Sequence, residues 1–168
     1  MLNLLRKSAI RKQDGQRLYD GVVSRAREPR FFTAFGVPDT IDGRFDIVVF
    51  HAWLVLTVLK QKGLGEAAQG LTDVVFTGFD EALREQGAGD MGISRKLKAF
   101  ADGFYGRLAA YEGARDEAEL AVAVARNIWR GAQVDARATA LAAYALWARN
   151  NLQHTLPEAA DFGPLPVL

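Results

Sequence analysis

GFDEALREQGAGDMGISRKLKAFADGFYGRLAAY, residues 78–111, is the stretch from which the fold of the chain is read. Val74, Val75, Phe79, Ala82 and Leu83 keep the three- and four-residue spacing of one helix face, with Asp80, Glu81, Arg84 and Glu85 set between them. Gly87, Gly89 and Gly92 then make a turn, since glycine takes unusual backbone angles at little steric cost. Ser94 is the expected N-cap of a second helix that buries Leu97, Phe100, Ala101, Phe104, Leu108 and Tyr111. Another face of that helix carries only Ala99, Gly103, Gly106 and Ala110. Glycine inside a helix costs about 0.5–1 kcal/mol relative to alanine, so two of them need an offsetting reason. Small residues let backbones approach, which fits either an internal helix crossing or a groove for a partner helix.

Helical patterns extend from there in both directions. Asp116 with Glu119 has the spacing of a capping box, and Leu120, Val124 and Ile128 follow on one face until Gly131 breaks the pattern. Asp135 opens a last helix to about Leu152, on which Ala138, Leu141, Ala142, Ala145 and Leu146 are expected inside and Tyr144, Trp147 and Arg149 outside. Pro157, Pro164 and Pro166 make the tail an extended strap. Upstream, Gly63-Leu64-Gly65 is a turn, and Phe45 to Lys62 is too long for a strand and reads as a mostly buried helix containing His51. Arg30 to Phe35 is a short aromatic segment closed by Gly36. Leu18, Val22, Val23 and Ala26 mark a helix from about residue 15 to Glu28. Asp14 and Gly15 are expected to separate it from a short basic helix carrying Leu2, Leu5 and Ile10. The expectation is an all-α fold: a single compact domain of about seven helices with an extended proline-containing C-terminal tail. Its parts are a basic segment 1–14, a helical domain 15–152 and the tail 153–168.

Composition narrows the chemistry. Of 168 residues, 49% are hydrophobic and 24% charged, ordinary for one globular domain. With no cysteine there is no disulfide, zinc–thiolate site or thiol nucleophile, which fits a reducing compartment. Net charge is +1, unevenly spread. Residues 1–30 hold eight Lys/Arg against Asp14, Asp20 and Glu28, which leaves that segment at +5 and the remainder at −4. Arg6, Lys7, Arg11 and Lys12 are therefore candidates for contact with lipid headgroups or ribosomal RNA. No signal peptide is visible, and the apolar run Ile47 to Leu59 falls short of the roughly 20 residues that span a bilayer. The expected location is cytoplasmic, with at most peripheral contact at the inner membrane.

The search for catalytic motifs finds none. His51 and His154 lie far apart, no GxSxG surrounds a serine and no phosphate-binding glycine loop is present. Asp39, Asp42 and Asp46 match no calcium-loop spacing. They read instead, with Arg44 and Phe45, as a rigid polar loop in which Asp42 caps the following helix. Arg44, Asp46, Arg84 and Glu85 could converge into one polar network between the two regions. The basic end has a single aromatic, Tyr19, so sequence-specific nucleic-acid binding is not expected.

Three blocks in order carry a family resemblance. The first runs from Ala26-Arg27-x-Pro29 through Phe35-Gly36-Val37-Pro38-Asp39-Thr40 to Asp42-Gly43-Arg44-Phe45-Asp46, with Phe50-His51 after it. The second is Leu83-Arg84-Glu85-Gln86-Gly87-Ala88-Gly89-Asp90, and the third is Lys96-x-Lys98 to Phe104-Tyr105-Gly106-Arg107-x-x-x-Tyr111. Together they resemble the ubiquinol–cytochrome c chaperone family in its short bacterial form. Phe32, Val58 and Gln86 depart from the tyrosine, arginine and methionine of the family pattern. The resemblance implies an all-helical, non-enzymatic, cofactor-free assembly factor. Such a protein would bind newly made cytochrome b and promote assembly of ubiquinol–cytochrome c reductase, near the ribosome or with a small partner assembly factor. It makes Asp39, Asp42, Arg44, Phe45, Asp46, Arg84, Glu85, Asp90, Gly103, Tyr105, Gly106 and Arg107 the client- or partner-binding candidates. Two other classes stay open on the residues alone: a haem- or quinone-binding protein using His51, and a peripheral membrane adaptor.

Overall fold

A helix that is apolar on every side has to be surrounded, and α3 (Ile41–Gln61) is that helix. Ile47, Val49, Phe50, Ala52, Trp53, Leu54, Val55, Val58 and Leu59 are all buried. A computed structural model of the chain describes residues 2–85, 89–131 and 133–168, and their side chains except at residues 2–10, 82 and 90. Among these residues there are seven helices and no strand: α1 (Leu2–Ala26), α2 (Pro29–Thr33), α3, α4 (Gly65–Glu85), α5 (Asp90–Glu112), α6 (Glu117–Ile128) and α7 (Ala136–Thr155). α1, α4, α5 and α7 pack on α3, α6 packs chiefly on α7, and α1 lies along α4. Phe31 and Phe35, from the aromatic segment, are fully buried in the same core.

The local signals explain the helix ends, with corrections. Thr40, not Asp42, caps α3: its Oγ1 accepts from Gly43 N at 3.1 Å, while Asp42 lies exposed in the first turn. Ser94 lies inside α5, whose N-cap is Gly89. Asp116 caps α6 by accepting from Glu119 N at 2.8 Å. The reciprocal bond goes one residue further out, from Arg115 N to the Glu119 carboxylate. The turn residues Gln86 to Ala88 lie outside the described residues.

The expected break at Asp14–Gly15 does not occur, and α1 runs straight through it. Gly15 is there for contact: a Cβ on it would overlap the backbone of Gly70 on α4. A close helix crossing on glycines is found at Gly15–Gly70. Among the described residues nothing lies within 4 Å of a Cβ built on Gly106, and Ala99 is exposed. On α7, Tyr144 is buried and Leu146 is 44% exposed, the reverse of the expectation. The aromatic cluster around His51 draws the tyrosine inward. The tail beyond Thr155 has no helix or strand, yet buries Leu156 and Phe162.

Candidate functional site

The residues singled out from sequence meet in part, at Asp46. This carboxylate sits one turn into α3 with no exposure to solvent. Arg107 reaches it from α5, with Nε at 2.8 Å and Nη2 at 2.7 Å from Oδ1. The remaining nitrogen, Nη1, donates to Gly103 O at 2.9 Å. The same guanidinium lies 5.0 Å from the centre of the Phe45 ring. Gly103 leaves room for this arrangement, since a Cβ there would stand 3.1 Å from Arg107 Nη1 and 3.9 Å from Phe45. Phe45, Asp46, Gly103 and Arg107 are thus one contiguous unit binding α3 to α5.

Sequence reasoning missed the third arm. Arg130, beyond the end of α6, places Nη1 2.7 Å from Asp46 Oδ2. It does so with φ at 59°, a conformation that a non-glycine residue rarely adopts. Gly131 marked a helix end, but nothing local said that the side chain of Arg130 would cross back to α3. Burial pushes the Asp46 carboxyl above its ordinary pKa, and the charges of Arg107 and Arg130 oppose that push. Nearby, the Tyr111 hydroxyl is buried without a hydrogen-bond partner among the described residues, and burial with the Asp46 charge raises its pKa. A lower clamp completes the α3–α5 joint, as Glu112 accepts from Thr57 Oγ1 at 3.1 Å and Trp53 Nε1 at 3.3 Å.

The other candidates fall around this unit. Arg44 pairs with Asp39 at 2.7 Å on the surface, and that hydrogen bond holds the Asp39 carboxyl below its usual range. Arg84 pairs with Asp80 along α4 at 2.9 Å, and Glu85 is exposed. The possible convergence of Arg44, Asp46, Arg84 and Glu85 is not found among the described residues, where Asp46 is paired with Arg107 and Arg130. Tyr105 is 53% exposed and stacks on Phe76 at 5.9 Å. It ends a run of rings in which Phe76, Phe79 and Phe45 all surround Phe100, the closest pair being Phe79–Phe100 at 3.7 Å. Beside Phe45, Ile41 is 77% exposed. The Asp90 side chain lies outside the described residues, as do those of Arg6 and Lys7. Arg11 is drawn across to α4, with Glu66 at 3.7 Å and Asp73 at 3.5 Å, while Lys12 is exposed.

His51 is a core residue. Its Nδ1 lies 2.8 Å from Ile47 O and its Nε2 3.2 Å from the Tyr144 hydroxyl. A neutral ring protonated at Nδ1 satisfies both contacts. Phe31, Phe50 and Phe162 pack edge-on around it, so neither nitrogen faces a space that a haem could fill. Burial lowers its pKa to about 3. The described residues hold no cluster of three or more His, Asp or Glu able to bind a metal ion. No helix among them is long and apolar enough to cross a membrane. A shallow depression of about 490 Å³ on α1, lined by Tyr19, Asp20, Val23, Ser24 and Arg27, includes none of the expected site residues.

Comparison with known proteins agrees with this architecture. The family model described as ubiquinol-cytochrome C chaperone matches residues 33–159. The crystal structure of the Cbp3 homolog from Brucella abortus superposes with a TM-score of 0.77 at 35% identity, covering 93% of this chain and 92% of that one. No curated protein matches the chain at a significant level. With its helical order and the matched span taken together, the chain belongs to the ubiquinol–cytochrome c chaperone family.

Proposed function

We propose that this protein is a non-catalytic assembly chaperone that binds newly made cytochrome b and so promotes assembly of ubiquinol–cytochrome c reductase. Family membership supports the assembly role. The observation that carries the binding surface is the exposed neighbourhood of the Asp46 unit. Tyr105 and Ile41 stand in solvent there, Gly106 opens onto empty space, and partly exposed rings lie beneath. Exposed apolar groups beside a fixed polar unit suit a client with apolar helices and polar loops. Asp39, Asp42 and Arg44 would meet the polar part of the client, and Phe45, Gly103, Tyr105 and Gly106 the apolar part. Arg107 and Asp46 would hold that surface rigid. On this reading Arg84, Glu85 and Asp90 border it at the α4–α5 end.

The test is a paired substitution, Tyr105→Ala with Gly106→Leu, in the full chain. The leucine meets open space, so the helical circular dichroism should persist. Capture of newly translated cytochrome b should be lost. Undiminished capture by a folded double variant would place the client elsewhere.

The basic start of α1 would bring the chaperone to the inner-membrane surface or to the ribosome from the cytoplasmic side, alone or with a small partner assembly factor. Because Arg11 is engaged with α4, the clean variant is Arg6→Glu, Lys7→Glu, Lys12→Glu rather than a deletion. It should abolish flotation with anionic vesicles if lipid is the surface. It should abolish ribosome co-sedimentation if RNA is.

A further inference from the structure

Residues 156–168 form neither helix nor strand, yet Leu156, Phe162 and Pro166 are buried against the helices. The manner of seating is unusual. Arg17 Nη2 donates to Pro157 O at 3.1 Å, and Asn151 Nδ2 to Asp161 O at 2.9 Å. Arg25 donates to Gly163 O and Lys62 to Leu156 O. Side chains from α1, from α7 and from the end of α3 thus grip the strap by its backbone carbonyls. A carbonyl is the same at every residue, so these donors hold an extended segment without reading its sequence.

Sequence enters at one deep position. The Phe162 ring is 1% exposed, packs edge-on to His51 at 5.1 Å and lies 5.7 Å from the Arg25 guanidinium. The next residue, Gly163, has φ of 69° and rests against the Trp147 ring, where any Cβ would overlap it.

We propose that this seat, built by α1, α3 and α7, is a peptide-binding groove that the chain's own tail occupies in cis. The partner it fits is an extended segment of another polypeptide bearing one aromatic anchor followed by glycine. The tail acts as an autoinhibitory strap, because tethering gives it an effective concentration that a segment in trans must overcome. The inference is independent of which client the protein serves.

A fluorescein-labelled peptide of residues 157–168 tests it by anisotropy against full-length chains. Gly163→Ala unseats the strap through its backbone and the Trp147 contact, and Phe162→Ala removes the anchor. Both variants should bind the peptide at least about tenfold more tightly than the unaltered chain, whose groove is filled. A peptide carrying its own Phe162→Ala change should lose that binding. A peptide scrambled outside Phe-Gly should keep most of it. Folded variants that fail to bind would overturn the proposal. So would loss of helical circular dichroism in both, which would make the strap an inseparable part of the core.

Discussion

Two side chains carry most of the consequences at the scale of single residues. His51 is buried neutral with a pKa of about 3, whereas in the unfolded chain it titrates near 6.5. Between those values the unfolded state binds the extra proton, so stability is complete above about pH 6.5 and falls as the pH drops toward 3. His51→Gln should remove roughly 2–3 kcal/mol of the stability lost between pH 7.5 and pH 4.5, measured by urea denaturation at the two pH values. Asp46 is the other. Asp46→Ala leaves Arg107 largely buried with no counter-charge, and breaking such a pair costs about 3–5 kcal/mol. Arg130 is half exposed and held at positive φ, so Arg130→Gly loses the ion pair but relieves the backbone. It should be about 1 kcal/mol more stable than Arg130→Ala, again by urea denaturation.

Glycine in a helix means opposite things in α1 and α5, and that difference belongs to the scale of elements. Gly15 faces the α4 backbone at Gly70, so Gly15→Ala forces α1 and α4 apart and should cost about 1–3 kcal/mol. Gly106 faces nothing, so Gly106→Ala should stabilise by about 0.5–1 kcal/mol through helix propensity alone. For a chain of this size each kcal/mol moves Tm by roughly 2–4 °C, so thermal melts of the two variants should shift in opposite directions. A glycine kept at a position where alanine would be more stable is consistent with the docking surface proposed for α5. The joint that holds α5 to α3 is made of side-chain contacts at three levels: the aromatic run, the Asp46 unit and the Glu112 clamp.

At the scale of the molecule, one core runs from the aromatic segment of residues 31–35 through α3 to the strap. A single shared core predicts one cooperative unfolding transition. Far-ultraviolet circular dichroism and tryptophan fluorescence should coincide, because Trp53, Trp129 and Trp147 report from α3, the α6 end and α7. Separate midpoints would show that α5 or the strap unfolds on its own.

What the chain's amino acids determined unaided was most of the helices and their order, with the separate basic helix before Gly15 the exception. Those follow from apolar spacing, caps and glycines that act over a few residues, as at Asp116, Asp135 and Gly63. The family resemblance, not local periodicity, marked Phe45, Asp46, Gly103 and Arg107 as candidates. Only the tertiary structure decided what these residues touch. Gly15 reads as a break until α4 lies against it, and Tyr144 reads as outward until His51 offers its ring nitrogen. Arg130 reads as a loop base until Asp46, 84 positions earlier, stands in reach of it. Each of these outcomes depends on a partner distant in sequence, and the packing that supplies it leaves no trace in local periodicity.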